Sequence, residues 1–267
     1  MDGDLKAWPD EVERTARYIQ SVAKKPIWVC LSGGIDSELI CHIFLTLKIS
    51  FKVLTIDHAN GSNRADTVWA KDWCKSNGVH QEIVTFDTDL FFSTYIPEKL
   101  KTGFYSPCPF RFFQLYLMET VERFDGFAVL GVGEQRFYFD EKTREAFLDL
   151  DTGLESVQKY AGDRHVPFFF YATPGIMLSY IESPQVRVTL EHPEILAHKE
   201  NIFLLKRMVY QTYYPHLKTR EKLDGWENVA LEFAVARSRL QKFGAERTRY
   251  IRVNASQLES DLRGSKP

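Results

Sequence analysis

The stretch "WVCLSGGIDSELI", from Trp28 to Ile40, constrains this chain more than any other. A short continuous apolar run leads directly into two adjacent glycines, and helical apolar spacing follows at once. An uninterrupted run of that kind suits a parallel strand covered on both faces. A glycine turn from such a strand into a helix presents backbone N–H groups where the helix dipole favours an anion. Gly33 and Gly34 permit close backbone approach, and the hydroxyls of Ser32 and Ser37 can donate further hydrogen bonds. The stretch reads as a phosphate cradle. The competing reading is a fortuitous glycine turn, but five specified positions recur by chance in such a chain with odds of roughly one in several thousand.

The cradle differs from the P-loop of kinases and GTPases. That loop, G-x-x-x-x-G-K-[ST], carries a lysine to the β/γ-phosphates, and no lysine stands here. Asp36 occupies the turn instead. An acid facing polyphosphate makes chemical sense as a ligand for a divalent cation, Mg²⁺, that bridges phosphate oxygens.

The flanking pattern alternates. Strands are expected over 26–31, 51–59, 79–86 and 127–132, and helices over 8–25, 37–47, 62–78 and 111–124. That spacing predicts an α/β fold with a doubly wound, mostly parallel sheet and a helical C-terminal lobe. Ligands of such sheets sit beyond the C-terminal strand ends. Three segments fall there: the SGGIDS turn, Asp57-His58, and "GVGEQRF" from Gly131 to Phe137. Past Asp140, residues 141–170 read as a hairpin or irregular insertion. Helices over 173–182, 201–214 and 226–243 follow, then a strand over 247–253 and a polar tail expected to be disordered. The expected organisation is a loop-bearing α/β domain over 1–140. Residues 141–267 are expected to complete its site as part of the same globular unit.

Composition narrows the class. Of 267 residues, 44% are hydrophobic and 26% charged, as in soluble globular proteins, and no apolar run is long enough to span a bilayer. The charged N-terminus does not resemble a signal peptide, so a cytoplasmic location is expected and no membrane partner. Cys30, Cys41, Cys74 and Cys108 lack C-x-x-C spacing, which argues against a disulfide framework or zinc site. Lys199 to Arg252 holds 12 Lys and Arg against 6 Asp and Glu, although the net charge of the whole chain is −2. That excess suits an anionic ligand over the C-terminal part, and equally a solvated, arginine-rich helical face.

S-G-G-x-D-S after the first strand resembles the PP-loop of the N-type ATP pyrophosphatases. That superfamily includes asparagine synthetase, GMP and NAD synthetases, argininosuccinate synthetase and the tRNA thiolases. The resemblance implies an adenine nucleotide alpha hydrolase-like fold, ATP and Mg²⁺ as cofactors, and cleavage between the α- and β-phosphates. A loop that grips departing pyrophosphate needs no lysine for γ-phosphoryl transfer. Ser32, Gly33, Gly34, Asp36 and Ser37 would hold nucleotide, with Asp36 on the metal, and Asp57 would contact adenosine. "YYPHLKTREKLDGWE" resembles the asparagine synthetase segment whose lysine contacts pyrophosphate and the adenylate. Lys222 takes that role, beside Arg220. "GVGEQRF" is similar to the family's G-E-G-x-D-E loop, but Gln135-Arg136 replaces its acidic pair. Glu134 could there bind Mg²⁺, act as a base towards an amine, or cap a helix.

Other departures bear on the nucleophile. The glutaminase domain of asparagine synthetase has no counterpart after Met1-Asp2-Gly3, so ammonia or an amine is expected from solution or a partner. Thiolating relatives use cysteines, for which Cys108 in "SPCPF" is the one candidate on a site loop. The aromatics of "HVPFFFYATPGIMLSY" read most simply as core, with Tyr171 and Tyr180 as alternatives for a substrate pocket. Three functions follow as expectations. One is an AMP-forming ligase or amidotransferase acting on a small-molecule or nucleotide acceptor. The second is a PP-loop enzyme that modifies a nucleobase or tRNA, favoured by the basic "RTRYIRV". The third is a non-catalytic ATP or AMP sensor.

Overall fold

Four parallel strands form the central sheet: β1 (Ile27–Cys30), β2 (Phe51–His58), β3 (Gln81–Phe86) and β4 (Phe127–Leu130), in the order β3-β2-β1-β4. The computed structural model describes residues 5–133, 136–150, 154–217, 230–242 and 251–254. All four residues of β1 and of β4 are buried, which is why their sequences are unbroken apolar runs. Helices α1 (Trp8–Val22), α2 (Ile35–Thr46) and α3 (Arg64–Asn77) follow the expected alternation. So does α6 (Pro109–Arg123), ahead of β4. The α/β class and mostly parallel sheet are as the sequence implied.

Local chemistry sets the element ends. Gly78 ends α3 in the left-handed region, φ 65°, and its N–H returns to the carbonyls of Cys74 and Lys75. Asn63 occupies the N-cap position of α3 without capping it. Its amide is engaged at the end of β2 instead, accepting from His58 N at 2.8 Å and donating to Ile56 O at 2.9 Å. The stretch between β3 and α6 is helical where the sequence suggested a loop. There α4 (Thr88–Leu90), a π-turn (Phe91–Tyr95) and α5 (Ile96–Lys101) run consecutively. Asp87 starts them by accepting from the N–H groups of Asp89 and Leu90.

Beyond β4 a second, three-stranded antiparallel sheet pairs β5 (Arg136–Asp140) with β6 (Glu145–Leu150), and β6 with β7 (Ile251–Asn254). The expected hairpin exists, but it begins inside the loop that the sequence suggested. Helices α7 (Leu154–Ala161), α8 (Pro174–Ile181), α9 (Pro184–Glu191), α10 (Lys199–Tyr213) and α11 (Ala230–Lys242) complete the described chain. Helix α9 was not apparent from the sequence.

Two apolar clusters cover the main sheet. One joins α1 and α2 to α8, α9 and α10, and the other packs α6 and α7 on the opposite face. Trp8 anchors the first. Its ring lies 5.0 Å from Tyr210, 5.9 Å from Tyr180 and Tyr214, and 6.0 Å from Tyr213. The buried thiols of Cys30 and Cys74 are pushed up to about 12 by desolvation, as befits inert core side chains.

Strand β4 is the edge of the sheet, and residues 165–166 cover it. Val166 bridges Val129 in parallel, and its N–H donates to Ala128 O at 2.8 Å. His165, 3% exposed, accepts the Ala128 N–H on Nδ1 at 3.0 Å, so its proton sits on Nε2, 3.0 Å from Glu122 Oε1. Burial lowers the pKa of this imidazole against the opposing pull of Glu122; Arg164 and Lys25 lower it further. A lowered folded-state value means the neutral form stabilises the fold above the unfolded value of about 6.5, and that stability is lost as pH falls through the folded value. The melting temperature is therefore expected to fall from pH 7.5 to pH 5. His165→Gln, whose amide can still accept from Ala128 and donate to Glu122, should flatten that slope in thermal denaturation across the range.

Candidate active site

Strands β2 and β3 lie on one side of β1 and β4 on the other, so the chain order reverses between β1 and β4. At such a switch point the loops beyond the strand ends diverge and leave a crevice. A cavity of about 620 Å³ occupies it, bounded by the Ser32–Ser37 turn, the end of β2, the start of α6 and one face of α10. The two loops touch closely. A Cβ on Gly131 would lie 2.8 Å from Ser37 N and 2.9 Å from Ser37 Cα, which are backbone atoms of the first turn of α2. Gly131→Ala is expected to cost about 1–3 kcal/mol in denaturant unfolding and to weaken nucleotide binding, because the cradle itself must shift.

The cradle forms as its sequence suggests. Gly33 has φ 78°, which a side chain would strain, and Gly34 is the N-cap of α2. The buried Ser37 hydroxyl donates to Gly34 O at 3.0 Å and accepts from Ser32 N at 3.2 Å. Ser37 thus fixes the loop's shape, whereas Ser32 is exposed on it.

The lysine missing from the loop arrives from elsewhere. Lys206 on α10 donates to Asp36 Oδ2 at 2.6 Å, and Tyr210, one turn on, donates to Asp36 Oδ1 at 2.8 Å. Their i, i+4 spacing puts both on one helix face, and Trp8 backs the Tyr210 ring. The Asp36 and Lys206 side chains are 17% and 13% exposed, so the pair is shielded yet borders the cavity. Arg207 and Arg136 also line the wall. Sequence reading missed Lys206, Arg207 and Arg136 as site residues. Lys206 and Arg207 were signalled only by the excess of basic residues over Lys199 to Arg252, and Arg136 only by its place in "GVGEQRF".

The donor set fits a polyphosphate: backbone N–H groups at a helix start, one ammonium and two guanidiniums. Among the described residues no cluster of three or more His, Cys, Asp or Glu side chains could hold a metal ion alone. A lone carboxylate completed by phosphate oxygens and water is a ligand set that Mg²⁺ accepts, and in this structure the Asp36 carboxylate is occupied by the Lys206 ammonium. Of the remaining sequence-derived residues, Asp57 is not on the cavity wall, whereas its neighbour His58 is buried on it. His58 Nδ1 lies 2.8 Å from Ser62 Oγ. Tyr180 is core, as expected, and Tyr171 packs where a Cβ on Gly133 would fall, 2.8 Å from its ring. Glu134, Arg220 and Lys222 lie outside the described residues.

Residues 12–116 match the model of the asparagine synthase family. This segment holds β1, the cradle, Asp36 and most of α6. The match covers less than half of the chain and makes this segment similar to that family. The cradle lies within the matched segment, and α10, which supplies Lys206, lies outside it. Three solved structures are similar over most of the chain. The NH3-dependent NAD synthetase from Campylobacter jejuni is 14% identical, with a TM-score of 0.37, over 82% of this chain and 100% of that one. The NMN synthetase from Francisella tularensis is 9% identical, TM-score 0.37, over 88% and 94%. The U34-tRNA thiolase NcsA from Methanococcus maripaludis is 16% identical, TM-score 0.36, over 88% and 77%. No curated protein matches the chain. Among the described residues no helix is long and apolar enough to cross a membrane.

Proposed function

We propose that this protein is an ATP-dependent ligase that forms AMP and pyrophosphate. An acceptor oxygen is adenylated, and ammonia or an amine then displaces AMP. The observation that carries this reading is the convergence of the SGGIDS cradle, Asp36 and Lys206 on one cavity at the switch point. In the reaction the acceptor oxygen attacks the α-phosphorus and the bond to the β-phosphate breaks, so charge develops on pyrophosphate. Backbone N–H groups at the start of α2, with Lys206 and Arg207, bear on that charge. Asp36 would hold Mg²⁺, which neutralises phosphate charge when bound. Arg136 adds a cation suited to an anionic acceptor. Lys222, Arg220 and Glu134 keep their proposed roles on pyrophosphate, the adenylate and the incoming amine.

A second reading, with a nucleobase or tRNA as the acceptor, draws on the basic residues of α10 and on "RTRYIRV". One assay separates the two. Pyrophosphate release from Mg-ATP with ammonium is measured after adding a small-molecule extract of host cells or, separately, its tRNA. Stimulation by the extract alone supports the ligase reading, and stimulation by tRNA alone moves the protein to the second. Nucleotide binding without release under any condition contradicts both.

A further inference from the structure

Helix α6 turns one stripe towards the cavity: Phe110, Phe113, Gln114 and Leu117, at i, i+3, i+4 and i+7. Three are apolar. Gln114 is wholly buried, a position where that spacing ordinarily carries another apolar side chain. Its amide orientation is fixed, because Arg111 Nη1 donates to Oε1 at 2.8 Å. The Arg111 guanidinium in turn lies over the Phe168 ring, 5.7 Å from its centroid. Oε1 is partnered by the guanidinium, whereas Nε2 has no acceptor among the described residues and is the amide atom left for a ligand. A buried donor without an acceptor is disfavoured unless a ligand completes it.

The surroundings specify the ligand's shape. Leu54 and Ile56 of β2 and Leu130 of β4 join the α6 aromatics in an apolar wall, while cations and the cradle gather on other elements of the same cavity. A group with flat apolar faces, acceptor nitrogens on its edge and a polyphosphate tail fits both ends, and a purine nucleotide has this form. We propose that Gln114 is a specificity-determining residue for the nucleotide, its Nε2–H donating to a ring nitrogen of the adenine base. The assignment rests on the ATP-binding reading above and deepens it. The hydrogen bond is made to the base alone, so it contributes to recognition of ATP and nothing to recognition of bare polyphosphate.

The test compares the affinities of ATP and inorganic tripolyphosphate for the wild type and two variants by calorimetry. Gln114→Met removes the amide at similar volume. Gln114→Glu keeps the shape and the Arg111 contact but removes the donor. Both are expected to weaken ATP by about 10–100-fold and to leave tripolyphosphate within about 2-fold, which also reports an intact cradle. ATP affinity unchanged in both variants, or an equal loss for both ligands, would overturn the assignment. A wild type that binds tripolyphosphate no more weakly than ATP overturns it as well. A wild type that binds neither ligand removes the nucleotide reading on which the assignment stands.

Discussion

Asp36→Asn is expected to reduce AMP-forming turnover by about 10³-fold or more, the largest single effect in this protein. The substitution preserves volume and leaves an amide oxygen that can still accept from Tyr210. It removes the one carboxylate of the Ser32–Ser37 turn, the group proposed to hold a cation against the phosphates. The folding penalty should be smaller, about 1–3 kcal/mol, because Lys206 loses its partner beside a cavity that water can enter. Chemistry and stability are therefore separable. Calorimetry adds a readout independent of turnover: Mg²⁺ should tighten ATP binding to the wild type and leave Asp36→Asn unaffected. A variant that keeps full Mg²⁺-dependent tightening would show that the cation sits elsewhere.

Lys206→Met should lower turnover by about 10²–10³-fold, or about 3–4 kcal/mol of transition-state stabilisation. The Lys206 ammonium is held 2.6 Å from Asp36 Oδ2. A divalent cation held by Asp36 would compete with the ammonium for the carboxylate, and Lys206 would then turn to the phosphates. This exchange has a crossed signature. Without the lysine, pyrophosphate should bind more weakly, by about 10–100-fold, while Mg²⁺ alone should bind more tightly at the liberated carboxylate. A lysine that serves only as a structural ion pair would leave pyrophosphate affinity unchanged.

Sequence reading reached the sheet and the cradle because both depend on neighbours in the chain. Apolar runs of strand length, helical spacing and the Gly33-Gly34 turn are local signals, and β1, α2, β2 and β4 formed where those signals fell. Residues 88–101 escaped because "FFSTYIPEKL" contains a π-turn and Pro97, which break helical periodicity. The contacts that make the site a site were the least legible. Lys206 and Asp36 are 170 residues apart, and only tertiary packing around Trp8 and Tyr210 brings α10 to the loop. His58 and Asp57 show the finer limit, since one position along a strand decides which side chain meets the cavity. Gln114 could be noticed as a polar residue within an apolar stripe, but only Arg111 and the cavity give it a direction.

The most direct measurement asks which phosphate bond breaks. Purified protein with Mg-ATP, ammonium and the stimulating acceptor fraction is followed by ³¹P NMR, beside Asp36→Asn. The account predicts AMP and pyrophosphate in equal amounts, appearing only with acceptor and abolished in the variant. ADP and orthophosphate as the acceptor-dependent products would contradict it, because the bond cleaved would then be the one that the cradle is proposed to leave intact.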